Sequence, residues 1–182
     1  MLDRSGTYGR SSGDLSPGPH DSSTGHYWLM RRGLDLPRGP VVWPQAVRET
    51  AFSTENAYAV HQLLMLGTRN GGGRVADFTS WLDAFESDPE FDRQLCVVVE
   101  DALGVVAVAQ CWTSAFIRNL VVHPRAQRRG LGMTLLSRVF EVFADRREGH
   151  VDLKVIESNH AARRLYERAG MQYVQRCELD PR

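Results

Sequence analysis

Residues 116–133 read FIRNLVVHPRAQRRGLGM. An apolar run, Ile117 to Val122, breaks at His123-Pro124, passes a short basic segment and enters a helix at Gln127-Arg128-Arg129-Gly130-Leu131-Gly132. A strand delivered into such a helix start is a device for holding phosphate. The first turn of a helix carries backbone N–H groups with no intrahelical partner. The aligned peptide dipoles place roughly half a positive charge there. Gly130 and Gly132 carry no side chain, so a pyrophosphate can approach the backbone, and Arg128 and Arg129 add charge at the rim. Position 135 is Leu, which rules out G-x-G-x-x-G, and no Gly-Lys-Ser/Thr occurs, which rules out a Walker loop. What remains is Gln-x-x-Gly-x-Gly behind a strand.

On the C-terminal side, the spacing predicts a helix from Arg128 to about Arg146, with Leu131, Leu135, Leu136, Val139, Phe140 and Phe143 on one face. Gly149 breaks it. His150–Val155 alternates as a strand and should lie parallel to Ala115–Val122 through a right-handed crossover. Asn159–Ala169 is a second helix closed by Gly170, and Met171–Glu178 is the last strand. This half carries the pattern Asn159-x-x-Ala162-x-x-Leu165-Tyr166-x-x-x-Gly170-Met171.

On the N-terminal side, Leu95–Glu100, Val105–Thr113 and Ala115–Val122 form an antiparallel meander, with a turn at Asp101–Gly104. Ser53 or Thr54 caps a helix bearing Ala57, Val60, Leu63 and Leu64, which ends at Asn70-Gly71-Gly72-Gly73. A further helix is expected from near Arg74, with Val75, Phe78, Leu82 and Phe85 as its stripe. Pro40–Val47 is the expected first strand, limited by Pro44 to an edge or strand end. Residues 1–25 are rich in Ser, Gly and Pro and read as a flexible tail, leaving 26–182 as the domain. His26–Met30 is apolar and aromatic without a clear role. The order is β-α-α-β-β-β-α-β-α-β, an α/β fold with a mixed central sheet and helices on both faces.

The chain has 182 residues and 42 % apolar residues, enough for one domain with a real core. Lys plus Arg balances Asp plus Glu at 22 each, which argues against a dedicated nucleic-acid binder. No apolar run approaches the ~20 residues that span a bilayer. Cys96, Cys111 and Cys177 are far apart and lack zinc spacing, so no metal site is expected and a cytoplasmic, thiol-reduced protein fits.

The two motifs, ordered and about 30 residues apart, resemble the GNAT superfamily of N-acetyltransferases from about residue 40 to 178. The resemblance implies acetyl-CoA as acyl donor. It implies that Leu120, Val121 and Val122 offer backbone groups to the pantetheine arm, in a gap where two parallel strands splay at a bulge. It implies that Arg128, Arg129, Gly130, Leu131, Gly132 and Met133 surround the pyrophosphate. Asn159 is both a good N-cap and a candidate contact to the CoA arm. Tyr166 corresponds to the family's general acid, which protonates the departing thiolate. The acceptor is an amine, either a small molecule or a peptide N-terminus, and a second copy of the chain is a candidate partner.

The chain departs from the family pattern twice. Some members carry a Glu five residues ahead of the Asn, where this chain has Lys154. Glu157, Gln110, Asn119 or a held water could substitute, and His123 reads mainly as structural. The family sheet also ends in two strands and only one is visible here. Residues 26–36 or a partner chain could supply the missing edge. The absent Glu keeps a second function open, a non-catalytic acyl-CoA-binding sensor on the same fold.

Overall fold

A computed structural model describes residues 25–37, 39–71 and 74–179. The tail expected over 1–25 therefore lies, Gly25 apart, outside the described residues. Strands β1 (His26–Gly33), β2 (Arg48–Ala51), β3 (Cys96–Asp101), β4 (Gly104–Trp112), β5 (Phe116–Val122), β6 (His150–Ile156) and β7 (Gln172–Glu178) form a seven-stranded mixed sheet in the order β2-β3-β4-β5-β6-β1-β7. Helices α1 (Thr54–Gly71), α2 (Phe78–Glu86), α3 (Leu131–Asp145) and α4 (His160–Arg168) complete the expected order, with one strand added at its start.

That added strand corrects the expectation for the missing edge. β1 does not sit at an edge. It lies between β6 and β7, antiparallel to both, with Tyr27 opposite Ile156 and Cys177. Met30 on β1 is fully buried. Trp28 donates its indole N–H to Glu157 at 3.1 Å and packs edge-on against Tyr173, and Arg31 forks onto Asp152 at 2.7 Å. The outer strand at this end is β7.

Three element boundaries also differ from expectation. The first strand after β1 is Arg48–Ala51 rather than Pro40–Val47. Pro44 has no N–H to donate, and the chain turns there through Ala46 at φ 68°, with Val47 N–H bonded to the Pro44 carbonyl. α2 begins at Phe78, not near Arg74, because Asp77 is its N-cap and accepts from the Ser80 N–H. α3 begins at Leu131, three residues after Arg128, because Arg128 and Gly130 both have positive φ, outside helical geometry.

Strand alternation divides the interior into two cores, one on each face of the sheet. Val97, Val99, Ala107, Ala109 and Ile117 face α3 and pack with Leu135, Leu136, Phe140 and Phe143. Cys96, Val98 and Val108 face the other way, onto Val60 and Leu64 of α1 and Trp81 and Phe85 of α2. α1 presses close on β5: a Cβ at Gly67 would stand 2.6 Å from Val121 Cγ2, so no larger residue fits without displacing the helix. The sheet is thus clamped from both sides at its middle strands.

Candidate active site

β5 and β6 are the sheet's parallel neighbours, and they pair only at Phe116–Asp152 and Ile117–Leu153. Beyond that point β5 stays on β4 while β6 leaves it for β1. The register between β4 and β5 also shifts. Gln110 opposes Asn119 and Cys111 opposes Ile117, so Arg118 is an extra, bulged residue. A bulge increases local twist and bends its strand. Its consequence is a cleft between the splayed strands, a cavity of about 290 Å3. Leu120 and Val121 line one wall, Lys154–Ile156 the other, with Asn159 and Tyr166 from the α4 side and Gly67 from α1.

The turn into α3 follows Val122. Gln127 donates its side-chain amide N–H to the Val122 carbonyl at 2.9 Å, tying turn to strand. The Met133 and Thr134 N–H groups both bond the Gly130 carbonyl, whereas those of Leu131 and Gly132 have no acceptor among the described residues. Gly130 caps the helix at φ 80°, a conformation that glycine adopts freely. Gly132 also lies close under α4: a Cβ there would stand 3.2 Å from Leu165 Cδ2. The Leu131 side chain is in the core, which leaves only its amide toward the turn. Arg125 is taken by Asp101 at 3.0 Å, while Arg128 and Arg129 pair with no carboxylate among the described residues.

Tyr166 is only 8 % exposed, and burial pushes its phenol up to about 12. The end of α4 fixes it: Met171 N–H bonds the Tyr166 carbonyl and Gly170 N–H the Glu167 carbonyl, a Schellman closure. Asn159 accepts from the Ala162 N–H at 3.2 Å and so does cap α4, while also lining the cavity. Both lie in the cleft with Leu120 and Val121.

The residues weighed as bases separate. Glu157 is unsuited: Arg176 forks onto it at 2.9 and 2.7 Å, Trp28 donates to it, and these partners pull its carboxyl down to about 2. It also lines neither cavity. His123 uses Nδ1 to accept from the Arg125 N–H, capping a short 3-10 turn. Gln110 and Asn119 line the second cavity, but a carboxamide takes no proton at neutral pH and can only orient an amine or a water. Asn119 donates to Gln110 Oε1 at 2.7 Å, and Asn119 lies on the wall common to two cavities. Lys154 stands over the Tyr27 ring at 5.0 Å.

The second cavity, about 260 Å3, opens on the α2 side of that wall. Trp81, Phe85 and Val75 form its apolar side, with Arg74, Arg118, Gln110 and Asn119 as polar groups. Phe85, on the expected helix stripe, and Trp81 beside it also belong to the core. Nothing in the sequence pattern marked Arg74 or Arg118. They line one cavity because the segment ahead of α2 and the bulge in β5 both border it.

A mixed sheet parted between two parallel strands, with a glycine-bearing helix start at the mouth of the gap, is a GNAT architecture. Residues 57–171 match the Acetyltransferase (GNAT) family, and the chain belongs to it. It is 33 % identical to a mycothiol acetyltransferase from Beutenbergia cavernae, with 56 % of this chain and 43 % of that protein matched. Among solved structures, a GCN5-related N-acetyltransferase from Sphaerobacter thermophilus is similar at TM-score 0.69 and 25 % identity, over 87 % of this chain and 53 % of that one. An aminoglycoside acetyltransferase from an uncultured soil metagenomic sample shares the fold at TM-score 0.53 and 15 % identity, over 68 % and 87 %. The chain thus spans about half the length of the first two relatives. No described helix is long and apolar enough to cross a membrane.

Proposed function

We propose that this chain transfers the acetyl group of acetyl-CoA to an amine held in the second cavity. The observation that carries the reading is the parting of β5 from β6 after Ile117, which leaves an open strand edge between the α3 turn and the Asn119 wall. The pantetheine arm would lie along Leu120–Val122. The amides of Leu131 and Gly132, with Arg128 and Arg129, would take the pyrophosphate, and Asn159 would contact the arm from α4.

In the transfer the amine nitrogen attacks the thioester carbon, a C–N bond forms and the C–S bond breaks. Backbone N–H in the splayed strand stabilises the developing oxyanion. Tyr166 donates to the departing sulfur. A phenol near 12 is a weaker acid than a thiol at about 8.5, so Tyr166 gives up its proton only as it receives the one leaving nitrogen. The net movement is one proton from amine to thiol. The mycothiol acetyltransferase relative supports acetyl transfer as the class of reaction.

The test is acetyl-CoA titration by calorimetry, with Gly130→Glu as the control. That variant places a carboxylate in the anion turn at a backbone φ of 80°. Micromolar binding by wild type and its loss in the variant is the expected result. Failure of folded wild type to bind would refute the donor assignment. Binding with no turnover of any amine would favour an acyl-CoA sensor.

A further inference from the structure

The second cavity carries a charge pattern that restricts what it can accept. Arg74 and Arg118 line it, and among the described residues no Asp or Glu lines it or the donor cleft. Seven other arginines, Arg31, Arg48, Arg93, Arg125, Arg138, Arg146 and Arg176, each hold a carboxylate within 4 Å, whereas among the described residues Arg128 and Arg129 at the α3 turn do not. Arg74 and Arg118 hold none among the described residues. Arg118 instead lies over the Trp112 ring at 4.7 Å, which keeps its charge at the wall between the cavities. Asp77, the acidic residue closest to Arg74 in the chain, is occupied in capping α2.

A polycationic acceptor would bring positive charge against two like charges with nothing to offset it. A guanidinium without a partner presents a planar fork that matches a carboxylate. Arg74 lines only the second cavity, whereas Arg118 and Asn119 line both. An acceptor can therefore place its anionic end on Arg74, its apolar body against Trp81 and Phe85, and its nitrogen at the shared wall.

We infer that the acceptor is an amine bearing a carboxylate beside an apolar body, with Arg74 as the residue that selects the carboxylate. The inference rests on the transfer reading for its chemistry but not for its binding preference. The same cations favour the neutral form of a nearby amine, which suits a site with no carboxylate base.

The test pairs leucine, phenylalanine and glycylleucine with their carboxamides, and adds spermidine as the polycation. Thiol release is followed with acetyl-CoA, and the same amines are titrated calorimetrically into protein saturated with CoA. The carboxamides are the weaker bases, so deprotonation alone favours them, and a carboxylate preference must come from recognition. Wild type should prefer the carboxylates by about tenfold or more, the scale of one charged hydrogen bond. Arg74→Gln should lose that preference while keeping its acetyl-CoA affinity. Equal treatment of each pair, a preference for spermidine, an unchanged preference in Arg74→Gln, or no binding of any amine would overturn the inference. If carboxylates bind selectively but nothing is acetylated, the acceptor inference stands and the transfer reading fails.

Discussion

The Tyr166 side chain packs with the core on the α3 side and also lines the donor cleft. Burial holds its phenol near 12, so it stays protonated across the neutral range. Tyr166→Phe keeps the ring and removes the donor. It should lower kcat by about 10²-fold, within the range of a general acid, with acetyl-CoA affinity unchanged by calorimetry. An equal loss in both would assign the hydroxyl to binding. The same residue predicts an alkaline limit on stability. A pKa raised in the fold contributes stability that is complete below the unfolded value and lost as pH rises through the folded one. For Tyr166 that window runs from about 10 to about 12. The Cys96 thiol, pushed by burial from 9.0 to about 12, and the Cys111 thiol, also pushed well up by burial, have the same sign. Melting temperature should fall from about pH 9 upward, and Tyr166→Phe should flatten the part of that slope above pH 10.

At the scale of elements, β1 decides whether the C-terminal half of the sheet exists. Without it, β6 and β7 would each lose their neighbour. Met30 is its deepest anchor, and Met30→Ala should cost about 2–4 kcal/mol in denaturant unfolding; a cost under 0.5 kcal/mol would mean β1 is dispensable. Glu157 fastens the same region by binding Trp28 of β1 and Arg176 of β7. Its pKa is lowered to about 2, so its contribution is present above about 4.5 and lost as pH falls toward 2. Glu157→Gln should flatten the acid limb of a melting-temperature profile. Local chemistry made β3 to β7, α3 and α4 readable, since each shows its own periodicity and stop signal, such as Gly149 or Gly170. β1 was not readable, because its partners lie more than a hundred residues away and its polar bonds form only on pairing. The α3 start was misplaced for a related reason: the positive φ at Arg128 is a property of the turn rather than of arginine. In the candidate site, the glycine-capped start of α3 and the Asn159 cap of α4 follow from spacing. That Arg74 and Arg118 line one cavity depends on the β5 bulge and on tertiary packing, which no periodicity records.

For the molecule as a whole, the two clefts share one wall, and neither is lined by a carboxylate among the described residues. This has a consequence for the proton that the amine must lose. An alkyl amine of pKa about 10.4 is deprotonated at pH 7 at a cost of about 4.6 kcal/mol, whereas a peptide α-amine near 7.7–8.0 needs little more than 1. With no enzyme base in reach, the pH dependence of kcat/KM should belong to the acceptor. Positive charge along the clefts, from Arg118 and Lys154, favours the neutral form of the bound amine. Glycylleucine should therefore give a profile that rises with unit slope and levels off near pH 8. 6-Aminohexanoate, with its lysine-like amine, should still be rising at pH 9.5. Measured from pH 6 to 9.5, below the main alkaline loss of stability, the two curves should be displaced along the pH axis. A common inflection between pH 6 and 7 for both acceptors would mean that an enzyme group takes the proton, and the base-free account would be wrong.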